Sequence, residues 1–489
     1  MDILYNSGFI KTPIHDNIKI LYADMTASGQ PSPIVENFLI ENVYPYYANT
    51  HSNAYCGKYM ADLITEARQY IRKAYSLKDE HKIIFTGNGT TGAINHLISI
   101  LDIDVYEKVN IVMTMFEHHS NYLPWKELEK HKKHVKVHMI ESDSLDEKDV
   151  FNMTKFKQVM EMINKDEKCS MNIISVIGIS NVTGIKMPID DIMNVVKFYN
   201  KEHKKNYFFG DYASAAPHMK LDLSEHDGAF FSGHKFIGGP GSPGVLIAVG
   251  DVFRNGTPYA PGGGCVRKAN NNVIMYEKDL EKKESGGTPN ILGILRLYIS
   301  VKETIDNIDK IQFLDRKILE YVHEKLLLIK KYNNNFDVLY LNTNMKDRLP
   351  IISFFIKNVH YNIIVIALND FFGIQSRGGI SCCGQLGEFI NNKYGVMGWC
   401  RVTFHWTMTT KEITYIIRAI AFMAKNINEI KELYTYDDKE HIYVYNGKQI
   451  SDNLLKKSTK IMNHLDQSND DRFNNGGLNV NKFNVMMHV

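Results

Sequence analysis

The sequence predicts an α/β protein whose main domain is built on a largely parallel sheet, followed by a smaller domain of mixed helices and strands. Between about residues 60 and 250, short apolar runs alternate with stretches of helical periodicity, which is typical of a parallel sheet covered by helices. After about residue 292 this alternation gives way to a long helical stretch and then a mixed region. The chain has 489 residues, of which 44% are hydrophobic, so it is long enough to form two cores.

Six apolar runs are the candidate strands of the main sheet: residues 83–86, 110–115, 173–179, 207–210, 229–232 and 245–249. Helical periodicity predicts helices over residues 60–75, 91–101 and 189–199, and a long helical stretch over 292–331. The first four apolar runs lead directly into polar or glycine-containing turns. Open α/β sheets bind their ligands at such turns, at the carboxyl ends of the strands. We therefore expect the chemistry of the protein there.

The same patterns divide the chain into four parts. Residues 1–20 form an N-terminal segment, residues 21–300 the large domain and residues 301–432 the small C-terminal domain. Residues 433–489 are an appendage, and its stretch 467–484, rich in Asn, Asp and Gly, is predicted to be disordered.

Composition excludes several classes of protein. The formal net charge of +2 gives no reason to expect a nucleic-acid or membrane partner. No run approaches the ~18 apolar residues needed to span a bilayer, and the N-terminus lacks the pattern of a signal peptide. No CxxC pair suggests a metal site, so we expect reduced thiols and a cytoplasmic protein. The six cysteines are Cys56, Cys169, Cys265, Cys382, Cys383 and Cys400.

A glycine-rich turn follows the first predicted strand. Gly87, Gly89 and Gly92 form a GxGxxG pattern, which taken alone is the fingerprint of a dinucleotide site. Its physical content is a phosphate cradle made of backbone N–H groups at a helix N-terminus, to which Thr90 and Thr91 add hydroxyl groups. NAD remains an alternative, although the two histidines that follow the next strand have no role in a ribose site.

Four further side chains match what pyridoxal phosphate (PLP) requires of a protein. This cofactor needs a lysine for its aldehyde, an acid against its pyridine nitrogen, an aromatic group over its ring and a phosphate cradle. Lys235, Asp211 and His118 each follow or end a predicted strand, and Asn181 could donate to the phenolate oxygen. Each residue taken singly is also compatible with an ordinary loop or capping role.

The order of the whole set resembles the class V aminotransferases, most closely the cysteine desulfurase and selenocysteine lyase branch. The resemblance covers roughly residues 20 to 425 and implies the PLP-dependent transferase fold of type I, with a seven-stranded, mainly parallel sheet. The segments that carry it are residues 88–95 (NGTTGAIN), 117–121 (EHHSN), 180–184 (SNVTG), 211–214 (DYAS), 232–235 (SGHK) and 286–290 (GGTPN).

The resemblance assigns roles to residues of these segments. Lys235 would form the Schiff base, His118 would stack on the cofactor ring, and Asp211 would pair with the pyridine nitrogen. The family commonly has Gln where this chain has Ser214, so contact with the phenolate oxygen would be altered there. Thr288 would reach the phosphate of a neighbouring subunit, which implies a homodimer. The phosphate would be held by Gly89, Thr90, Thr91, Ser232 and His234.

The reaction depends on the segment 375–384 (QSRGGISCCG). A mobile loop with a cysteine near an arginine suits sulfur transfer, and alignment on the family's Arg-x-Gly-x-x-Cys loop places Cys382 at the persulfide position, beside Arg377. Cys383 remains an alternative nucleophile, and both cysteines could be unreactive. Arg401 matches the arginine that binds the substrate carboxylate.

The function implied is conversion of L-cysteine to L-alanine, with the sulfur carried by an enzyme persulfide to an acceptor protein. One alternative is another class V enzyme that uses no persulfide, such as an aminotransferase, an epimerase, a kynureninase-like lyase or a selenocysteine lyase. Another is a sulfur-carrier module that has lost turnover, against which the presence of Lys235 and Asp211 argues.

Overall fold

The computed structural model describes residues 8–142, 150–165, 171–200, 206–342, 348–463 and 465. The strands are β1 (Phe9–Ile10), β2 (Ile18–Lys19), β3 (Leu21–Tyr22), β4 (His81–Thr86), β5 (Val109–Thr114), β6 (Val135–Ile140), β7 (Met171–Ile177), β8 (Asn206–Asp211), β9 (Gly228–Ser232), β10 (Gly244–Val249), β11 (Val266–Ala269), β12 (Ile274–Tyr276), β13 (Phe336–Val338), β14 (Ile351–Ile356), β15 (Ile374–Gln375), β16 (Arg377–Gly379), β17 (Trp399–Thr403), β18 (Tyr434–Asp437) and β19 (Ile442–Tyr445).

The α-helices alternate with the strands through the first half of the chain and become longer after it. They are α1 (Pro33–Phe38), α2 (Tyr55–Ala74), α3 (Gly89–Leu101), α4 (His119–His131), α5 (Met153–Lys165), α6 (Ile189–Tyr199), α7 (Leu280–Lys283), α8 (Ile291–Asp306), α9 (Ile308–Tyr332), α10 (Tyr361–Phe372), α11 (Gly384–Tyr394), α12 (Thr410–Ile430) and α13 (Asp452–Met462). No helix in the described ranges combines the length and apolarity that a bilayer crossing needs.

The central sheet has seven strands in the order β4-β10-β9-β8-β7-β5-β6. The strands β5 to β9 pair in parallel, and only β10 runs antiparallel to its neighbours β4 and β9. The predicted α/β fold with a seven-stranded, mainly parallel sheet is therefore confirmed. The strand that periodicity did not predict is β6. It lies at the sheet edge and is only partly buried, so it lacks the continuous apolar run of a central strand.

Both faces of this sheet are buried. Successive side chains of a strand point to opposite faces, so each central strand contributes to two apolar clusters. Ile173 and Phe209 lie in one apolar cluster, beneath α3 and α4, together with Trp125. Their neighbours Ile174 and Phe208 lie in a second cluster on the other face. The carboxyl ends of β4, β5, β7, β8 and β9 consequently meet at one edge of a rigid layer.

The helices differ from the prediction in three ways. The helical stretch predicted over 292–331 is two helices, α8 and α9, because the chain leaves the helical conformation at Asn307 (φ −113°, ψ 8°). Helix α2 begins at Tyr55, ahead of the predicted position 60. Helices α4 and α5 were not predicted, and α4 carries Pro124 in its interior, a residue that normally argues against a helix.

A second, four-stranded antiparallel sheet of order β13-β14-β17-β16 forms the C-terminal part with α9, α10 and α12. Two further segments of the chain contact this part. Strand β3, near the N-terminus, pairs in parallel with β15 of this part. The predicted appendage also packs here, because Leu433, Ile450 and Leu454 belong to the same apolar cluster. The predicted disordered stretch 467–484 lies outside the described residues.

Candidate active site

A cavity of about 190 Å³ lies at the carboxyl edge of the central sheet. It brings together most of the residues singled out from the sequence. Its walls are formed by Thr26, Ala27, Asn88, Thr90, Thr91, His118, Ser120, Ile177, Asn181, Asp211, Ala213, Ser214, Ser232, His234, Lys235, Arg377, Ser381 and Arg401. Turns after five strands of the central sheet thus contribute to a single site, as expected for an open α/β sheet.

Lys235 closes a single 3₁₀ turn, Gly233–Lys235, directly after β9. Its Nζ lies 3.4 Å from Ser214 Oγ. Burial lowers the pKa of Lys235 to about 8, although the nearby Asp211 carboxylate acts in the opposite direction. With this pKa, part of the lysine population carries a neutral, nucleophilic amine near neutral pH.

Asp211 is the last residue of β8 and is 1% exposed. Its Oδ1 accepts a hydrogen bond from the Ala213 N–H at 3.0 Å. Burial raises the pKa of Asp211 to about 6, an effect that the Lys235 ammonium reduces. A buried carboxyl facing the same cavity as a lysine is suited to pair with a protonated ring nitrogen of a ligand.

The residues predicted to hold a phosphate lie where α3 begins. Gly89 has a φ of +58°, and a Cβ placed there would lie 2.8 Å from Ser232 Oγ. The Thr90 N–H donates to Ser232 Oγ at 2.9 Å, and the Thr90 hydroxyl lies 2.8 Å from the same oxygen. The Thr90 N–H and the hydroxyls of Thr90 and Ser232 therefore meet at the positive end of a helix, which favours an anion.

His118 caps the N-terminus of α4 and lines the cavity. Its Nδ1 accepts from the Ser120 N–H at 3.1 Å, so this nitrogen carries no proton. Burial, reinforced by the positive charge of Lys235, lowers the pKa of His118 to about 3. The ring is therefore neutral at physiological pH and presents an aromatic surface that a planar ligand can stack on.

Arg401 lies in β17 and is paired with an acidic residue that the sequence pattern did not single out. Its Nη2 donates to Asp24 Oδ1 at 2.5 Å, and its Nη1 donates to the Asn181 carbonyl at 3.1 Å. Within the described residues, Arg401 Nε and Asn181 Oδ1 are buried without a hydrogen-bond partner. Asp24 follows β3, a strand of two residues, which is too short to give a periodic signal in the sequence.

Cys382 lies on a loop whose preceding residue, Ser381, is hydrogen-bonded to two neighbouring side chains. Ser381 and Cys382 both adopt left-handed backbone conformations, with φ of 51° and 55°, at a cost of roughly 1–2 kcal/mol per residue. Hydrogen bonds from Asn181 Nδ2 to the Ser381 carbonyl (2.8 Å) and from Trp399 Nε1 to Ser381 Oγ (3.1 Å) hold this conformation. The Cys382 thiol is half-buried and lies 3.5 Å from Arg377 Nη2.

Cys383 points away from the cavity into an apolar cluster. Its side chain is 0% exposed and its Sγ lies 3.5 Å from the Met115 carbonyl. Burial raises the pKa of Cys383 to about 12. A thiol in this environment is protonated and shielded at physiological pH, so the geometry favours Cys382 over Cys383 as a nucleophile.

Thr288 is a predicted cofactor residue that does not line the cavity. It is exposed, and its hydroxyl accepts a hydrogen bond from Asn49 Nδ2 at 3.0 Å.

Comparison with known proteins gives consistent results. The family model described as aminotransferase class-V matches residues 21–416. The chain is 29% identical over 423 residues to a probable cysteine desulfurase of Borreliella burgdorferi, covering 84% of this chain and 94% of that protein. It is 28% identical over 437 residues to a probable cysteine desulfurase of Staphylococcus epidermidis, covering 86% and 94%.

Solved structures share the fold. The apo structure of the cysteine desulfurase from Thermococcus onnurineus superposes with a TM-score of 0.71 at 22% identity, covering 83% of this chain and 95% of that one. A NifS-like protein from Rickettsia africae gives a TM-score of 0.64 at 22% identity, covering 84% and 99%. With the family model spanning most of the sequence, the chain belongs to the class V aminotransferase family of PLP-dependent enzymes.

Proposed function

We propose that this chain is a PLP-dependent cysteine desulfurase that converts L-cysteine to L-alanine and takes the sulfur onto Cys382 as a persulfide. The observation that carries the proposal is the position of the Cys382 thiol. It lies 3.5 Å from Nη2 of Arg377, a residue that lines the same cavity as Lys235 and Asp211, while Cys383 is buried in an apolar cluster. The names of the relatives from Borreliella burgdorferi and Staphylococcus epidermidis support it.

The cavity fits PLP on two independent observations. Gly89 leaves open the space that a side chain would close against Ser232, and the orphaned Asn181 Oδ1 and Arg401 Nε are polar atoms that a ligand can satisfy. Lys235 would attach the cofactor, with the other predicted residues in the roles given above. When bound, the cofactor supplies an electron sink that makes the Cα proton of an amino acid acidic.

Arg401 would bind the carboxylate of the substrate. A guanidinium has five N–H groups in a fixed fork, of which one is donated to Asp24 and one to the Asn181 carbonyl. The unpaired Nε–H and the remaining Nη groups are free to bind a carboxylate through two parallel hydrogen bonds. Asp24 and Asn181 hold the fork in one orientation, so little ordering is required when the substrate arrives.

Lys235 would move the proton. Its lowered pKa leaves part of the amine neutral near pH 7, and this form removes a proton from the substrate Cα. The Ser214 hydroxyl at 3.4 Å is placed to hold the amine as it turns toward the substrate.

Cys382 would take the sulfur. The Cys382 thiolate, beside the Arg377 guanidinium, attacks the sulfur of the substrate. An S–S bond forms between Cys382 and that sulfur, the substrate Cβ–S bond breaks, and Cβ takes up a proton to become the methyl group of alanine. The net change consumes one cysteine and yields one alanine and one enzyme persulfide, with no external oxidant.

The matched pair Cys382→Ala and Cys383→Ala tests the proposal, because the two residues are adjacent and differ in burial. Alanine and sulfide are measured from L-cysteine with a thiol reductant. We expect Cys382→Ala to lower turnover by more than about a hundredfold at unchanged visible absorbance, and Cys383→Ala to retain it. Unchanged turnover in Cys382→Ala would remove the persulfide step and favour a class V enzyme of another kind.

The proposal extends to the assembly. A homodimer would allow the exposed Thr288 to reach the cofactor phosphate bound by the partner subunit, since Thr288 does not line its own cavity. We further propose that the enzyme acts in the cytoplasm and passes its sulfur to an acceptor protein.

A further inference from the structure

His119, the first residue of α4, contacts the Cys382 loop at the cysteine itself and at the second residue after it. Its backbone N–H donates to the Cys382 carbonyl at 2.7 Å. Its ring Nε2 accepts from the Gly384 N–H at 3.0 Å. One residue of the large sheet's edge thus holds the chain segment that starts at the proposed nucleophile and ends at the first residue of α11.

These two contacts determine the state of the ring. A backbone N–H can only donate, so Nε2 of His119 must offer its lone pair and the ring proton must sit on Nδ1. Burial lowers the pKa of His119, in agreement with a neutral ring. Gly384 begins α11, and Cys383 provides no side-chain cap there. The His119 ring therefore satisfies an N–H group that would otherwise lack a partner at the start of this helix.

The loop needs such external contacts because its own backbone is strained. Ser381 and Cys382 are consecutive non-glycine residues in the left-handed region, a conformation that persists only where surrounding groups hold it. Asn181 and Trp399 hold Ser381. The two contacts of His119 act at the next positions, Cys382 and Gly384, and so complete the restraint on both sides of the thiol.

We propose that His119 is a positioning residue that keeps the Cys382 thiol beside Arg377 by holding the loop through its Nε2 atom. The expected effect of His119 on turnover rests on the proposed desulfurase function. The two contacts that hold the loop, which we call the clamp, do not depend on that function. His119 makes its contacts to the loop and Arg401 holds the substrate, so loss of the clamp should lower kcat and leave the KM for cysteine nearly unchanged.

Three variants of the PLP-loaded full chain test this inference. His119→Leu removes the acceptor, and His119→Gln replaces it with an amide oxygen at a similar distance from the main chain. His131→Leu is the matched control, because His131 is the exposed last residue of the same helix and its ring contacts Glu127. Deuterium uptake of the peptide covering residues 380–386 is measured beside kcat and KM.

We expect His119→Leu to raise deuterium uptake in this peptide at least about threefold and to lower kcat about tenfold, with KM within about twofold of the parent. His119→Gln should recover most of both losses, and His131→Leu should match the parent. If the Leu variant does not fold, His119→Ala serves in its place.

Unchanged deuterium uptake in His119→Leu would overturn the clamp, as would equal losses in His119→Leu and His119→Gln. Increased uptake with unchanged kcat would overturn the positioning role. The exchange measurement requires no substrate, so it judges the clamp even if the parent protein forms no alanine, an outcome that would overturn the proposed function instead.

Discussion

Replacement of Asp24 with alanine should destabilise the chain, because it leaves the Arg401 guanidinium buried without its carboxylate. The Arg401 side chain is 2% exposed and that of Asp24 16% exposed, and the two are joined at 2.5 Å. No other acidic side chain of the described residues forms an ion pair with Arg401. The variant therefore removes the charge compensation and retains the desolvated cation.

The expected magnitude follows from this burial. Removal of one partner of a buried ion pair costs about 3–5 kcal/mol, most of which is the penalty of the charge left behind. Asp24 retains some exposure, so water can reach part of the gap, and we expect a loss of about 2–3 kcal/mol in the free energy of unfolding. The double variant Asp24→Ala/Arg401→Met contains no buried charge and should recover at least about 1 kcal/mol.

Urea unfolding followed by tryptophan fluorescence measures these differences as shifts of the transition midpoint. Asp16→Ala is the matched control, because Asp16 pairs with Lys11 in an ion pair whose side chains are 90% and 77% exposed. Its midpoint should not move. The reasoning is refuted if Asp24→Ala shifts the midpoint no further than Asp16→Ala, or if the double variant is as unstable as Asp24→Ala alone.

Two further predictions concern the cofactor. The rate at which cofactor-free protein takes up PLP should rise with pH and level off above about pH 8, because the neutral amine reacts and burial lowers the pKa of Lys235 to about 8. Asp211→Asn should move the midpoint of this profile to lower pH, because the Asp211 carboxylate raises the Lys235 pKa. Visible absorbance measures the uptake. A midpoint that moves to higher pH would contradict the effect of Asp211 on Lys235. Gly89→Ala should weaken PLP retention on dialysis about tenfold, because it strains a φ of +58° and brings a Cβ to 2.8 Å from Ser232 Oγ. Gly256→Ala, at an exposed position where an added Cβ meets nothing within 4 Å, should retain PLP like the parent, and equal retention in both variants would remove the cradle from the account.

The central sheet could be predicted from the sequence because its strands are buried on both faces and therefore read as apolar runs. Strand β6 was missed for the opposite reason, since Lys136 is exposed at the sheet edge and His138 is only partly buried. The break at Asn307 was missed because apolar periodicity continues through both helices. The sequence pattern thus predicts which segments are buried, whereas it does not predict where the chain changes direction between two amphipathic helices.

The candidate site shows the same limit. Lys235, Asp211 and His118 each follow or end a strand of the sheet, so the sequence predicts that they meet. Asp24 reaches the site by packing against a strand 377 positions away, and His119 reaches Gly384 across 265 positions. Contacts at such separations leave no local signal, and the same holds for Cys382 and Cys383, which differ only in the direction that the backbone gives their side chains.

The pairing of β3 with β15 has a consequence for the order in which the protein is made. Leu21 is 2% exposed in the folded chain, but its partner strand lies more than 300 residues further along. At roughly 5–20 residues per second, a ribosome completes Arg401 roughly 20–75 s after Asp24. Strand β3 therefore has no partner in the nascent chain while the strands of the seven-stranded sheet are made, and the site is completed only once Arg401 has been added.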